Sequence, residues 1–347
     1  MKMKILILLV SIVFSLSSVE VFLRLSNSKY RYAAEAIRKI DQNRLFSRVR
    51  NSEIQFKSPD TEQLHKVHYN NYGLRSSSDI DIKNLNSKNI IGIFGDSFVE
   101  NLRLPEKETV SHLLTNKIHT TEKAILALNM GVEGYGTDQA YLYYRDSLLT
   151  KHINHAWYFF YHNDVKDVRD NQLLYWKENK LQSSLAREFP SWKKWASKLY
   201  LTYLVLDFYH RFVFIQDLKF YFSKYTYNTF QPLISPEGHQ KRMSNREKDK
   251  DIVPDVKTKS LIQNIIKEWE KLAKKNGAEF KIIVLPDEKT DKYARDIFKD
   301  FSGVIYLRPD FLQKYPKGNI DWAFKKDLHW NKDGNELAAE ILSKVID

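Results

Sequence analysis

Short apolar runs alternating with helical periods constrain this chain more than any other feature. Asn89 to Phe94 reads as a buried strand, as do Ala124 to Met130, His155 to Tyr161, Phe280 to Leu285 and Val304 to Leu307. Helical patterns cover Glu106 to Ile118, Thr137 to Leu149, Thr258 to Asn276 and Lys332 to Val345. In the longest of these, Leu261, Ile265, Trp269 and Leu272 share a face, Thr258 is placed to cap the start and Gly277 to stop the end. The alternation predicts an α/β domain with a parallel sheet and helices on both faces. Ligands of such sheets sit at the carboxyl ends of the strands, so chemistry is sought in the residues that follow each apolar run.

The N-terminus has a different pattern. Lys2 and Lys4 precede the 15-residue uncharged run Ile5 to Val19, which Glu20 interrupts before Val21-Phe22-Leu23. A basic start and an apolar run of this length predict a signal peptide or membrane anchor over 1–24. The lysines then stay in the cytoplasm and the rest of the chain lies outside, facing the periplasm or cell exterior, or is secreted if the signal is cleaved. The chain has no cysteine, which excludes disulfide scaffolds, thiolate metal sites and cysteine nucleophiles.

Residues 25–65 read as a helical tether, with an amphipathic helix from Tyr30 to Asp41 followed by a polar stretch, and 66–347 as the main domain. Its oddity is the 165–257 insertion, which holds 15 aromatic residues over 189–230 and carries 16 basic against 9 acidic side chains over 165–250. It reads as a helical subdomain that packs its aromatics on the sheet, or as a cap or membrane-facing surface. Asp207, Arg211, Asp217 and Lys219 break its apolar runs and argue against a second span. The whole chain carries 55 − 43 = 12 excess positive charges. For an exported protein these suit anionic lipid headgroups or glycan, and no nucleic-acid partner is expected.

Four short motifs stand at predicted strand ends or just before the last helix. Gly95-Asp96-Ser97 follows the first strand and presents a serine on a tight turn. Asn129-Met130-Gly131-Val132-Glu133-Gly134-Tyr135-Gly136 follows the second; its glycine order does not match a dinucleotide loop, and its backbone can face a developing oxyanion. Tyr161-His162-Asn163-Asp164 ends the third strand and offers an amide donor. Asp327-Leu328-His329 sets a carboxylate two residues before an imidazole, a spacing that suits an oriented general base. Taken singly, each motif has a plain alternative as a turn, cap or loop histidine.

Taken together and in this order, Ser97, Gly134, Asn163 and Asp327-x-His329 resemble the SGNH hydrolase family, the GDSL-type esterases and lipases. The resemblance covers residues 66–347 apart from the insertion, and Asn70-Asn71-Tyr72-Gly73-Leu74-Arg75 is similar to the lead-in of exported members. It implies a three-layer sandwich around a central parallel sheet of SGNH/flavodoxin-like type. It implies Ser97 as nucleophile, His329 as base and Asp327 as orienting acid, with the backbone N–H of Ser97, Gly134 and Asn163 forming the oxyanion hole. No metal or cofactor is implied. Phe98 replaces the family's usual Leu, and Tyr161 stands where Gly is usual, which bears on substrate size.

The expected activity is hydrolysis of O-acyl esters, acetyl or short-chain, through an acyl-serine intermediate outside the cytoplasm, on an acylated glycan or lipid at a membrane surface. One alternative passes the acyl group to a sugar hydroxyl as a polysaccharide O-acetyltransferase, with a membrane protein as acyl donor. The other is a catalytically silent carbohydrate-binding SGNH domain.

Overall fold

The computed structural model describes residues 2–25, 38–61, 63–117, 124–184, 254–316 and 319–346. Lys2–Leu25 forms helix α1, with Ile7, Val13 and Phe14 exposed. No helix among the described residues is long and apolar enough to cross a membrane, so the anchor expected over 1–24 gains no support from the fold.

The expected tether takes another form. From Arg38 onward it builds two antiparallel hairpins, β1 (Arg38–Asp41) with β2 (Leu45–Arg48), and β3 (Ser52–Lys57) with β4 (Leu64–Tyr69). The helical period assigned to Tyr30 through Asp41 therefore fails at its described end, where Ile40 pairs with Phe46 across a strand ladder. A four-residue strand is too short for periodicity to identify, and its partner decides its state. Ile54, Val67 and Tyr69 bury themselves with Leu102 in a small core of their own, so these hairpins are packed parts of the domain.

The central sheet has five parallel strands: β5 (Asn89–Gly95), β6 (Ile125–Gly131), β7 (His155–Phe160), β10 (Glu279–Val284) and β11 (Val304–Tyr306). Their spatial order is β6-β5-β7-β10-β11, the flavodoxin-like order. The intervening β8 (Leu174–Lys177) and β9 (Lys180–Ser183) form a separate hairpin.

Alternation along the strands makes two cores. Ile90, Phe94, Tyr158, Phe160, Ile282 and Val284 point to one face. Helices α4 (Thr137–Asp146), α5 (Asn163–Asn171), α6 (Val256–Lys275) and α7 (Glu288–Ile297) cover them. Ile91, Ile93, Trp157, Phe159 and Ile283 point to the other face, under α2 (Ser97–Glu100), α3 (Val110–Lys117), α8 (Arg308–Lys314) and α9 (Lys332–Ser343). Both faces being covered explains why the strands read as continuous apolar runs. Trp269 of α6 is fully buried against Phe94, Tyr158 and Phe280, with ring centroids 5.2–5.5 Å apart.

Local departures have local causes. The cap of α6 is Asp255, whose carboxylate accepts from the Thr258 N–H at 2.9 Å and the Thr258 hydroxyl at 2.7 Å, so Thr258 lies inside the helix. The helical pattern read as far as Leu149 ends at Asp146 in α4, and Leu148 beyond it is exposed. Of the 165–257 insertion, the structure describes most of α5, the β8–β9 hairpin and the start of α6; the aromatic segment 189–230 lies outside the described residues.

Candidate active site

In an open sheet of this order the crevice opens where the chain reverses its direction of winding, here between β5 and β7. Ser97 follows β5 as the first residue of α2, and Asn163 follows β7 as the first residue of α5. Asp96 caps α2, its carboxylate accepting from the Phe98 N–H at 3.0 Å. This cap holds the strand-to-helix turn closed and fixes the direction of Ser97.

The loop before α9 brings His329 to the serine. Ser97 Oγ and His329 Nε2 are 2.7 Å apart across 232 residues of sequence. Trp330, fully buried, anchors this loop; its carbonyl accepts from Asn101 Nδ2 at 3.0 Å, and its ring stacks on Phe311. Phe98 lies against the imidazole with ring centroids 4.8 Å apart, and Tyr161 touches Phe98 from β7's end at 4.6 Å. Leu328, between the acid and the base, has φ +61°, left-handed backbone that an L side chain seldom adopts. That turn folds the His329 N–H back to Asp327 Oδ1 at 3.1 Å.

His329 Nδ1 faces two acceptors, the Asp327 carbonyl at 3.2 Å and Asp327 Oδ2 at 3.4 Å. Acceptors on that side call for Nδ1–H, which leaves Nε2 to accept the serine proton. Asp327 Oδ2 also accepts from Arg103 Nε at 2.6 Å. Burial works to raise the Asp327 carboxyl, but Arg103 and His329 outweigh it and hold the group well below the usual carboxylate range. His162 is turned elsewhere, toward Asp287 at 3.2 Å and Thr290 at 3.1 Å.

The Gly-rich loop after β6 packs directly on α2. A Cβ on Gly131 would sit 2.5 Å from the backbone nitrogen of Glu100, so only glycine allows this approach. Gly134 has φ +84° and is exposed. The N–H groups of Ser97 and Gly134 have no hydrogen-bond partner among the described residues. Asn163 Nδ2 donates to Asp96 Oδ2 and Asp167 Oδ2, each at 3.2 Å, and its Oδ1 is buried without a partner. The Asn163 amide is thus engaged with the turn that presents Ser97.

Sequence reasoning missed the buried charges behind this site. Glu100 takes Arg48 Nε at 2.7 Å, the Tyr69 hydroxyl, and the Glu133 N–H at 2.6 Å. Arg103 Nη2 donates to Glu133 at 3.0 Å. Arg75 of the lead-in motif donates to the carbonyls of Glu100, Asn101 and Leu104, clamping the loop that carries Arg103. Glu133 lay in plain view beside Gly134, but nothing in the sequence pairs it with Arg103.

A cavity of about 570 Å³ under the first hairpin is lined by Arg44, Arg48, Arg50, Tyr72, Tyr135 and Tyr143 among others, and excludes Ser97 and His329. Among the described residues no group of three or more His, Asp or Glu is placed to hold a metal ion.

No protein-family model and no curated protein matches the chain. Solved structures do. A protein described as lipolytic and of the G-D-S-L family, from Desulfitobacterium hafniense DCB-2, aligns at 11% identity and TM-score 0.41, over 75% of this chain and all of its own. A lipase/acylhydrolase from Enterococcus faecalis aligns at 13% and 0.39, over 74% and 95%. A variant of an acetyl xylan esterase from Geobacillus stearothermophilus aligns at 10% and 0.40, over 75% and 94%. Likenesses this distant fix no family.

Proposed function

We propose that this chain is a serine ester hydrolase that removes short acyl groups through an acyl-serine intermediate. The observation that carries the reading is the 2.7 Å approach of Ser97 Oγ to His329 Nε2, with Asp327 on the far side of the ring. A serine hydroxyl is a poor nucleophile until a base takes its proton. His329 takes it as Oγ attacks the ester carbonyl, and Asp327 stabilises the resulting imidazolium. The oxyanion meets the N–H groups of Ser97 and Gly134, with Asn163 as third donor once its amide turns from Asp167. His329 then returns the proton to the leaving alcohol, and water repeats the sequence on the acyl-serine.

The substrate we infer is an O-acylated glycan or lipid outside the cytoplasm. Its motive is the basic, apolar start of the sequence and the excess positive charge. The test is turnover of an aryl acetate by the purified chain, with and without a sugar acceptor, together with labelling by a serine-directed organophosphonate. Free acetate and label confined to Ser97 support the hydrolase. Acetylated sugar makes the chain a transferase, and absence of both turnover and label sinks the reading.

A further inference from the structure

Arg103 is buried among acids that the triad alone does not require. Its side chain is 4% exposed and lies between Asp327 Oδ2, at 2.6 Å from Nε, and Glu133 Oε1, at 3.0 Å from Nη2. Two carboxylates therefore compete for one guanidinium. Were Asp327 its sole partner, the pair would be neutral overall, and an imidazolium at His329 would gain little from it. Glu133 adds a second negative charge beside the guanidinium, and Arg38, which also lowers the Glu133 carboxyl, offsets part of it.

We propose that Arg103 and Glu133 are positioning residues for the base: Arg103 fixes the carboxylate that orients His329, and Glu133 supplies the charge that leaves this carboxylate free to stabilise the imidazolium. This rests on Ser97 and His329 being nucleophile and base. Two further contacts support it. Glu133 immediately precedes Gly134, so the guanidinium also ties the oxyanion loop to the acid of the triad. The loop is braced from behind, since the Glu133 N–H donates to buried Glu100 and the Glu133 carbonyl accepts from Arg38 at 3.1 Å. Burial opposes ionisation of Glu133, yet Arg103 and Arg38 hold it down at about 2, so it stays charged at neutral pH.

Among the described residues, the charged groups placed around His329 are Asp327 on its own loop, Arg103 after α2, Glu133 after β6 with Arg38 beside it, and Asp96 in the turn after β5. Two changes among them have opposite signs. Glu133→Gln removes an anion, makes the imidazolium harder to form, and should move the acid limb of the kcat/KM profile down by about one pH unit. Arg103→Gln frees two anions and should move that limb up. Both should lower plateau kcat about tenfold or more while KM changes little. Arg103→Lys retains the charge without the two-pronged reach. It should keep the parent limb at reduced kcat, and it stands in if Arg103→Gln does not fold.

The experiment follows aryl acetate hydrolysis by the full chain and its variants against pH, with organophosphonate labelling of Ser97 in each. Opposed shifts of the acid limb support the proposal. Labelling of Ser97 in the parent with unmoved limbs in folded Glu133→Gln and Arg103→Gln reduces the pair to scaffolding and overturns it; where Arg103→Gln does not fold, an unmoved limb in Glu133→Gln together with parent kcat in Arg103→Lys does the same. Absence of Ser97 labelling in the parent removes the catalytic reading itself, and the proposal with it.

Discussion

Asn163 Nδ2 donates to Asp96 Oδ2 at 3.2 Å, so the residue that opens α5 is tied to the turn that presents Ser97. The contact spans the switch point of the sheet and locks the ends of β5 and β7 together. Asp96 is 2% exposed, and burial raises its carboxyl above the ordinary range while hydrogen bonds from Phe98 and Asn163 act against this. Asn163→Ala should therefore do two things. It removes an oxyanion donor, which lowers kcat by about 10²–10³ with KM little changed. It also strips Asp96 of one donor. Steady-state kinetics on an aryl acetate check the first; a raised KM with unchanged kcat would make Asn163 a ground-state binder.

The three members of the Ser97–His329–Asp327 set should not lose activity equally. Ser97→Ala should abolish turnover and labelling. His329→Ala should cost about 10⁴–10⁶ in kcat, and Asp327→Asn about tenfold to a hundredfold less, because the carboxylate orients the ring without taking its proton. Asp327 is held ionised far below neutrality, so it should contribute no step of its own to the parent acid limb in the range about pH 4–8. His329→Ala with wild-type turnover would move the base elsewhere.

How far the sequence led can be judged from these residues. The strands were legible because a sheet covered on both faces needs unbroken apolar runs, and Ser97, Gly134, Asn163 and His329 stood out as candidates because each follows such a run or precedes a helix. Arg103, Glu133 and Glu100 were not, since each is an ordinary charged residue until tertiary packing brings it to its partner. Arg48 and Glu100 lie 52 residues apart, on a hairpin and a one-turn helix. The hairpins were misread for a related reason: Arg38–Asp41 and Leu45–Arg48 are four residues each, and only their pairing makes them strands. Helices α7 and α8 went unread because Asp287, Glu288, Arg308 and Asp310 hide a modest apolar face among charges.

The Arg48–Glu100 pair gives a stability prediction. Both side chains are essentially inaccessible, at 1% and 0% exposure, and two guanidinium N–H groups meet the carboxylate. Removing one partner strands the other as a buried charge, so Glu100→Gln should destabilise the fold by about 3–5 kcal/mol. Glu100 also receives the Glu133 N–H, so the same change should loosen the oxyanion loop. Urea unfolding of the full chain measures the first effect. An unchanged midpoint would mean that the Arg48–Glu100 pair contributes nothing to the stability of the domain.

Asp138, in the first turn of α4, should make stability fall as pH rises. It is 1% exposed; its Oδ1 accepts from the Gln139 N–H at 2.9 Å and Asn171 Nδ2 at 3.2 Å, and its Oδ2 is buried with no partner. Burial pushes its carboxyl up to about 7 against those hydrogen bonds. The sign follows from proton counting. Between the unfolded value of 3.8 and about 7 the native state holds a proton that the unfolded state has lost, so stability declines across that window and levels off above it. Asp138→Asn keeps the Oδ1 acceptor and replaces a titrating atom with a neutral one, removing this slope. At about pH 8 the variant should gain on the order of 2 kcal/mol relative to its standing against the parent at about pH 4, less than a full conversion of the shift because water and side chains relax around the anion. Urea midpoints of parent and variant at the two pH values provide the check. Equal differences at both would show that Asp138 is ionised in the native state throughout, held by its two donors at no cost.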